Sequence, residues 1–330
     1  MTAPITAPAV LYLTVDENSA GQRLDNFLIR ELKGVPKTHI YRIIRSGEVR
    51  RNKARVSADD RLLLGDVVRV PPVRVAAARD PRVAVASASS TLALLYEDEH
   101  FLAINKPAGT AVHGGSGVSF GVIEQLRAQR PQARFLELVH RLDRETSGVL
   151  LVAKRKSALN ALQDQFRDRS TAKTYLALVK GAWPLSLHRL DAPLYKYLLP
   201  DGERRVKVVS PEHPQAQPSL SFVRVLKVFP TLMGQTLADH VFSLLAVTIK
   251  TGRTHQIRVH LSHAGYPIVG DDKYGDFELN KQVQRLGLRR MFLHAWRLQI
   301  NHPSDQTPVH LEAKLPENLH LTEFSEWGVQ

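Results

Sequence analysis

The chain has 330 residues, 43% hydrophobic and 23% charged, a balance that excludes overall disorder and leaves room for two domains and at least one sizeable core. Forty-five Lys and Arg against thirty-two Asp and Glu give a net charge of +13, which favours a polyanionic partner, nucleic acid first. The absence of cysteine excludes disulfides, thiolate catalysis and Cys-based zinc sites.

The opening MTAPITAPAVLYLTV lacks a basic segment ahead of an apolar one, and no apolar run approaches the ~18 residues needed to cross a bilayer. Residues 1–20 read as an irregular tail, and the expected location is the cytoplasm. From residue 21, Leu24, Phe27, Leu28 and Leu32 form the stripe of an amphipathic helix that Gly34 and Pro36 end. Ile40, Ile43 and Ile44 mark a second helix, stopped by Gly47. Val49, Val56 and the alternation from Asp66 to Val70 predict short strands after it.

The polar side of the second helix and the loop after it carry Lys37, Arg42, Arg45, Arg50, Arg51, Lys53 and Arg55 against one acid, Glu48. A face held by salt bridges would mix signs, so this run reads as a phosphate-binding stripe. Residues 21–75 resemble the S4 RNA-binding domain in RLDxFL, in the Ile-rich second helix, in the turn at Ser46 to Asn52 and in the closing Gly65-Asp66-Val67-Val68.

Residues 76–90 hold few large apolar side chains and read as a linker, so a second domain is expected over 91–330. It opens with two strands around an acidic turn, in LALLYEDEHFLAINKPAG. Next, HGGSG from His113 and Gly117-Val118-Ser119-Phe120-Gly121 satisfy the patterns of a serine hydrolase with Ser119 as nucleophile. A hydrolase elbow needs a strand leading directly into its serine, and a glycine loop precedes this one. The competing reading is a glycine turn before a helix that starts near Ser119 and carries Val122, Ile123 and Leu126.

The most informative stretch is HRLDRETSGVLLVAK, His140 to Lys154. Asp143 lies between Arg141 and Arg144, and nearby guanidinium charge holds a carboxylate ionised, the state in which it can act as a nucleophile. The same arginines, Arg144 included, attract phosphate. Phe135 to Val139 and Val149 to Ala153 are strand-like, which puts Asp143 on a loop at a sheet edge. Ser157 is then expected to cap a helix whose Leu159, Leu162 and Phe166 face the core. Lys173 to Val179 alternates like a strand, with Tyr175, Ala177 and Val179 on one face.

In TGRTHQIRVHLSHAGYPIVGDDKYG, beginning at Thr251, Thr254 is the expected N-cap of a short helix that presents Arg258 and ends at Gly265 and Pro267. His255, His260 and His263 invite a metal reading, but neither an HExxH spacing nor a cysteine supports it. No metal is expected.

HRLDRETSG, KxYxAxVxG from Lys173 to Gly181, the Arg258 segment and NKPAGTAVH from Asn105 together resemble the pseudouridine synthase family that modifies large-subunit (23S) ribosomal RNA. The resemblance implies an α+β fold: a mixed, largely antiparallel sheet flanked by helices, with the small S4-like domain at its N-terminal side. It implies that Asp143 is the catalytic nucleophile, that Arg141 enters the RNA where the target base has left, that Tyr175 stacks on the uracil and that Arg258 pairs with Asp143. The reaction implied breaks the N1 glycosidic bond, turns the uracil in its pocket and joins C5 to the same sugar carbon. No redox change occurs, so no cofactor is needed. A stacked base is out of reach of such a site and must be flipped out. Asp143 could form a sugar adduct, add to the uracil ring or remove a proton, and all three routes use the same side chain. A noncatalytic ribosomal RNA-binding or assembly factor on the same fold is the alternative of another class. Oligomeric state is not legible, and a monomer is the default expectation.

Overall fold

A computed structural model describes residues 9–32, 34–73, 92–114, 120–230 and 241–319. The chain divides into two compact units, Met1–Ser89 and Ser90–Gln330. The expected linker, Ser119 and the HGGSG glycines after Gly114 lie outside the described residues. No helix among the described residues is long and apolar enough to cross a membrane.

In the first unit, β1 (Leu11–Thr14), α1 (Leu24–Glu31), α2 (Lys37–Arg45), β2 (Arg50–Arg51), β3 (Ala54–Arg55) and β4 (Val67–Val70) form an antiparallel sheet, in the order β1-β4-β2-β3, with two helices on it. The 1–20 segment is therefore not wholly irregular: Leu11–Thr14 pairs with Val67–Val70. Leu24, Phe27 and Leu28 of α1 and Ile40, Ile43 and Ile44 of α2 close one core with Val68 and Val70. Asp25, 3% exposed, fixes this unit from inside. It accepts from Arg23 Nε and Nη2 (3.2 and 2.9 Å), from the Tyr41 hydroxyl (3.0 Å) and from the Asn26 amide (2.8 Å), and the Arg23 bond holds its carboxyl below the usual range.

The second unit is built on one large sheet. Its strands are β5 (Ala93–Glu97), β6 (Phe101–Lys106), β7 (Glu137–Leu138), β8 (Ser147–Ala153), β9 (Ala172–Lys180), β10 (Arg189–Asp191), β13 (Leu220–Phe229), β14 (Phe242–Ile249), β15 (Leu293–Asn301) and β16 (Pro308–Glu312), with β11 (Leu194–Leu198) and β12 (Arg204–Val208) as a separate hairpin. The order is β10-β13-β14-β9-β15-β8-β6-β5, with β16 on β15 and β7 on β8. Every pairing in it is antiparallel except β15 with β8.

Both faces are covered, which is why β8 is buried at all seven positions. On one face α3 (Val122–Gln129) sets Val122, Ile123 and Leu126 on Ile104, Leu150 and Val152. On the same face α5 (Gln256–His263) sets Ile257 and Leu261 on Ala177, Val179 and Leu245. Tyr175 packs at the margin of both clusters, and so marks the line between them. The other face carries α4 (Lys156–Arg167) over Phe101, Val149 and Leu151, and α6 (Phe277–Arg285) over Leu176, Leu178 and Phe242.

Three local expectations need correction. The helix after the glycine loop starts at Val122, because the Glu124 carboxylate reaches back to the Gly121 amide at 2.9 Å. Ser157 lies inside the first turn of α4, whose N-cap is Arg155 without a side-chain bond. Only Glu137–Leu138 of the 135–139 run pairs as a strand, since Phe135, Leu136 and Val139 are spent in the core.

Candidate active site

The loop from Val139 to Thr146 is fixed at both ends before any function is considered. At its start the Val139 amide bonds the Leu151 carbonyl (3.1 Å) and His140 Nε2 accepts the Leu151 amide (3.1 Å), while the His140 ring stacks on Phe166. Burial keeps His140 neutral, with its pKa down at about 4, so it serves as an acceptor and leaves the chemistry to its neighbours. Leu142 is buried, and the Thr146 amide bonds the Asp143 carbonyl at 3.1 Å to close the turn that turns the Asp143 side chain, 24% exposed, outward.

Gly148 must be glycine. Its φ is +113°, and a Cβ there would lie 2.1 Å from the Ala295 carbonyl oxygen, where β8 meets its parallel neighbour. Beneath the loop, Lys106 is fully buried and donates to the carbonyls of Pro107 (2.8 Å), Thr110 (2.8 Å) and Arg144 (3.0 Å). Three acceptors match its three N–H bonds. Burial nonetheless pushes its pKa down to about 7, with Arg290 adding to the effect.

A second buried chain steadies the other side. His294, 0% exposed, meets the Ala313 carbonyl through Nε2 (2.9 Å) and Ser147 Oγ through Nδ1 (2.8 Å), and Ser147 Oγ accepts from Arg290 (2.9 Å). Only one assignment satisfies every group: Nε2–H donates to the carbonyl and Nδ1 accepts the serine proton. Burial therefore lowers the His294 pKa to about 4, against roughly 6.5 in an unfolded chain. The unfolded state takes up the proton first as pH falls, so stability from this group is full above ~6.5 and lost towards 4, by at most ~1.4 kcal/mol per pH unit. Urea midpoints at pH 7 and pH 5 are expected to differ less in His294→Gln than in the wild type.

The flanking arginines do not hold Asp143. Arg144 is turned away, its Nε on the Gly109 carbonyl at 2.9 Å and its guanidinium 3.6 Å from Glu145. Arg141 is exposed at the pocket and makes no ion pair among the described residues. The groups that face the carboxylate come from α5 and its N-cap: the Arg258 guanidinium, through Nη1, and His255 Nε2 each stand 3.9 Å from Asp143 Oδ2.

Arg258 can do this because another acid already holds it. Asp271, buried, takes its Nε at 2.7 Å and Nη2 at 2.5 Å, Asp272 accepts at 3.1 Å, and Tyr274 lies under the guanidinium at 5.2 Å. Burial works against charge on both partners, yet their hydrogen bond and mutual attraction prevail, leaving Arg258 above and Asp271 below its ordinary pKa. Arg258 thus pairs most closely with Asp271, and Asp143 receives what remains of its field.

Thr254 is not the cap of α5. The N-cap is His255, in the left-handed region at φ +53°, and the Gln256 Oε1 takes the Arg253 amide (3.1 Å) and the Thr251 hydroxyl (2.8 Å) instead. That backbone turn swings the His255 ring to the pocket, where Nδ1 meets the Tyr274 hydroxyl at 2.8 Å. Burial lowers its pKa while the Asp143 charge opposes the shift. His260 is spent elsewhere, among Ser219, Ser221 and the Ala192 carbonyl. Among the described residues no group of three His, Cys, Asp or Glu is arranged to hold a metal.

Tyr175 stands on β9 beside a bulge in β15 between Ala295 and Arg297, an irregularity of the kind that re-aims side chains next to sites. Burial, with the Asp143 charge adding, raises its pKa, so it stays a neutral phenol. Arg141, Asp143, Tyr175, His255, Arg258 and Leu293 all line one pocket of about 110 Å³. Sequence reasoning had not singled out His255 as a pocket residue, nor Asp271, Tyr274 or Lys106. Their signal was present in GDDKYG and NKPAG, but a partner thirteen residues on is not visible without the fold.

What this arrangement can do is present a carboxylate to an open slot, with the Arg258 guanidinium behind it and the Tyr175 ring and the exposed Arg141 lining the same slot. Similarity to known proteins agrees. The family described as RNA pseudouridylate synthase matches residues 100–263, and the S4 domain matches residues 22–68. The chain is 50% identical to "Ribosomal large subunit pseudouridine synthase C" of Yersinia pestis, covering 94% of each, and 49% identical to the protein of that name in Escherichia coli (strain K12), covering 94% of this chain and 95% of that one. Among solved structures, "Human RNA Pseudouridylate Synthase Domain Containing 1" aligns with a TM-score of 0.56 at 29% identity, over 68% of this chain and 84% of that chain. "Human RNA Pseudouridylate Synthase Domain Containing 4" gives 0.53 at 28%, over 72% and 92%. The chain belongs to the RNA pseudouridine synthase family and carries an S4 domain. Its chemistry is therefore the isomerisation of uridine within RNA, and the hydrolase and noncatalytic readings fall away.

Proposed function

We propose that the substrate is large-subunit (23S) ribosomal RNA or its assembly precursor, met in the cytoplasm, and that Asp143 is the group that attacks. The observation that carries the assignment is the convergence of Asp143, Arg258, Tyr175 and Arg141 on one pocket. Residues 21–75 serve as the RNA-binding module and 91–330 as the catalytic one.

In this reading a uridine leaves its stack and enters the slot, and Arg141, exposed beside it, fills the gap. The uracil lies against the Tyr175 ring, which offers a flat apolar face and a phenol that keeps its proton. As the N1–C1′ bond breaks, positive character grows on the sugar, and the Asp143 carboxylate meets it much as a carboxylate does in glycoside hydrolysis. The base must then stay and water must stay out, because C1′ is to be captured by C5. The proton displaced from C5 balances the one N1 gains, so the product is an isomer and no cofactor takes part. Arg258, with His255 beside it, keeps the carboxylate aimed through the sequence.

Pseudouridine mapping of large-subunit RNA from cells lacking this gene tests the substrate. Loss of particular sites, restored by the wild-type chain and not by Asp143→Asn, is expected, and an unchanged map would refute it. On the S4 domain, Lys37, Arg42 and Arg45 are exposed along α2, and Lys53 and Arg55 are exposed beyond it. Arg51 is half-buried and already donates to the Arg61 carbonyl (2.9 Å), so it is a weaker phosphate contact than its charge suggests. Neutralising Lys37, Arg42 and Arg45 together is expected to lower the slope of log K against log salt by about two to three, at roughly 0.7–0.9 per lost contact. An unaltered slope would take α2 out of the footprint.

A further inference from the structure

The sheet of the N-terminal unit spends one face on its core and leaves Tyr12 and Val67 of the other exposed and its Arg50 and Arg69 half-exposed. Val68 and Val70 are fully buried against the helices, whereas their neighbour Val67 is 37% exposed and Tyr12 is 67% exposed. Register places Tyr12 opposite Arg69, Arg69 opposite Arg50, and Arg50 opposite Arg55, so a single row across all four strands reads Tyr, Arg, Arg, Arg. Like charges set directly opposite one another destabilise a sheet, and no acid stands in the row to relieve them.

The row is only partly neutralised from within. Arg55 folds over the β3 edge to the Arg45 carbonyl (3.0 Å), and Arg69 donates to the Glu48 carbonyl (2.9 Å). Arg50 has no side-chain hydrogen bond or ion pair among the described residues. A shallow recess of about 770 Å³ lies over this face, lined by Tyr12, Arg50, Asn52, Lys53, Val67 and Arg69, without a carboxylate. At its lip the two-residue turn Asn52-Lys53 has both residues at positive φ, +50° and +71°. Glycine is the usual second residue of such a turn. Here a lysine occupies it, and Asn52 pins the turn through Asp66 (2.7 Å) and the Val67 amide (2.8 Å).

We propose that this outer sheet face is a second RNA-binding surface that takes a single-stranded segment, with a base on the Tyr12 ring and phosphates on Arg50, Lys53 and Arg69. It takes Arg50 and Lys53 out of the run of basic residues and is distinct from Lys37, Arg42 and Arg45 on α2, because Ile40, Ile43 and Ile44 of that helix share the core with Val68 and Val70, which puts α2 on the opposite side of the sheet. An exposed ring framed by cations suits unpaired bases, whose faces stack while their backbone is neutralised. A duplex hides those faces, and an acidic peptide needs the cations without the ring. The inference rests on the reading of the chain as an RNA enzyme, and gives it a preference for targets flanked by unpaired RNA.

The test uses the full chain, a fluorescent ten-residue oligouridine and an RNA hairpin duplex. Tyr12→Ala is expected to weaken oligouridine binding roughly tenfold, as loss of one stacked base does, and Tyr12→Phe to retain it. Arg50→Gln, which removes no internal partner, is expected to lower the salt slope for oligouridine by about 0.7. Duplex binding and isomerisation at saturating RNA should be unchanged in Tyr12→Ala and Tyr12→Phe. Wild-type affinity for oligouridine in Tyr12→Ala and Arg50→Gln overturns the proposal while the enzyme reading stands. So does a loss confined to a polyglutamate peptide. A wild-type chain that neither binds nor isomerises RNA overturns both.

Discussion

Asp143→Asn is expected to abolish uridine isomerisation while leaving RNA affinity within a few-fold. The amide has the size of the carboxylate, and the turn it sits on is closed by the Asp143 backbone carbonyl, so the loop keeps its shape. Arg258 remains satisfied by Asp271 and Asp272, so no buried charge is stranded. What disappears is the carboxylate charge that Asp143 brings to the slot, the one acid among the described residues that line it. An amide neither attacks a sugar carbon nor balances positive charge on it, and removing a nucleophile of this kind costs roughly 10⁴-fold or more. Single-turnover isomerisation of a target transcript, beside filter binding of the same RNA, separates the two effects. Turnover within tenfold of wild type would remove Asp143 from the centre of the mechanism, and a matching loss of affinity would make it a binding residue.

The same residues show how much of the site was legible beforehand. The strand before Gly181 announced itself through alternation, and the loop position of Asp143 followed from the two apolar runs around it. Its electrostatics did not. Adjacent arginines in sequence looked like the natural counterions, yet a side chain on a tight turn points away from its neighbours, and Arg144 goes to Gly109 while Arg141 makes no ion pair among the described residues. The field on Asp143 comes from α5, more than a hundred residues on, and depends on an acid after that helix. Likewise Leu11–Thr14 is only four residues long and becomes a strand because Val67–Val70 offers it an edge to pair with. The N-cap of α5 was misassigned for a related reason: propensity favours Thr254, but the Gln256 side chain already takes the Arg253 amide, and His255 accepts a left-handed backbone to reach the pocket. Local pattern gives elements, whereas partners set by long loops need the fold.

Asp271→Asn should be the most damaging change outside the pocket. It keeps Oδ1 for the Lys273 and Tyr274 amides, now at 2.8 and 3.0 Å, but removes the charge opposite a guanidinium that is only 4% exposed. Breaking a buried pair from one side costs about 3–5 kcal/mol, because the remaining ion is left uncompensated. Asp272 at 3.1 Å is 66% exposed and too well solvated to replace it. Arg258 would then swing towards Asp143, the next acid within reach, and convert a distant counterion into a direct clamp that competes with the sugar for the carboxylate. Two readouts follow: a lower urea midpoint, and a fall in kcat larger than any change in KM. Adding Arg258→Met to Asp271→Asn removes the stranded charge and should restore much of the midpoint while isomerisation stays low. If stability and turnover recover together, the pair is only a brace for the fold. If stability returns without turnover, Arg258 is the counterion that keeps Asp143 aimed.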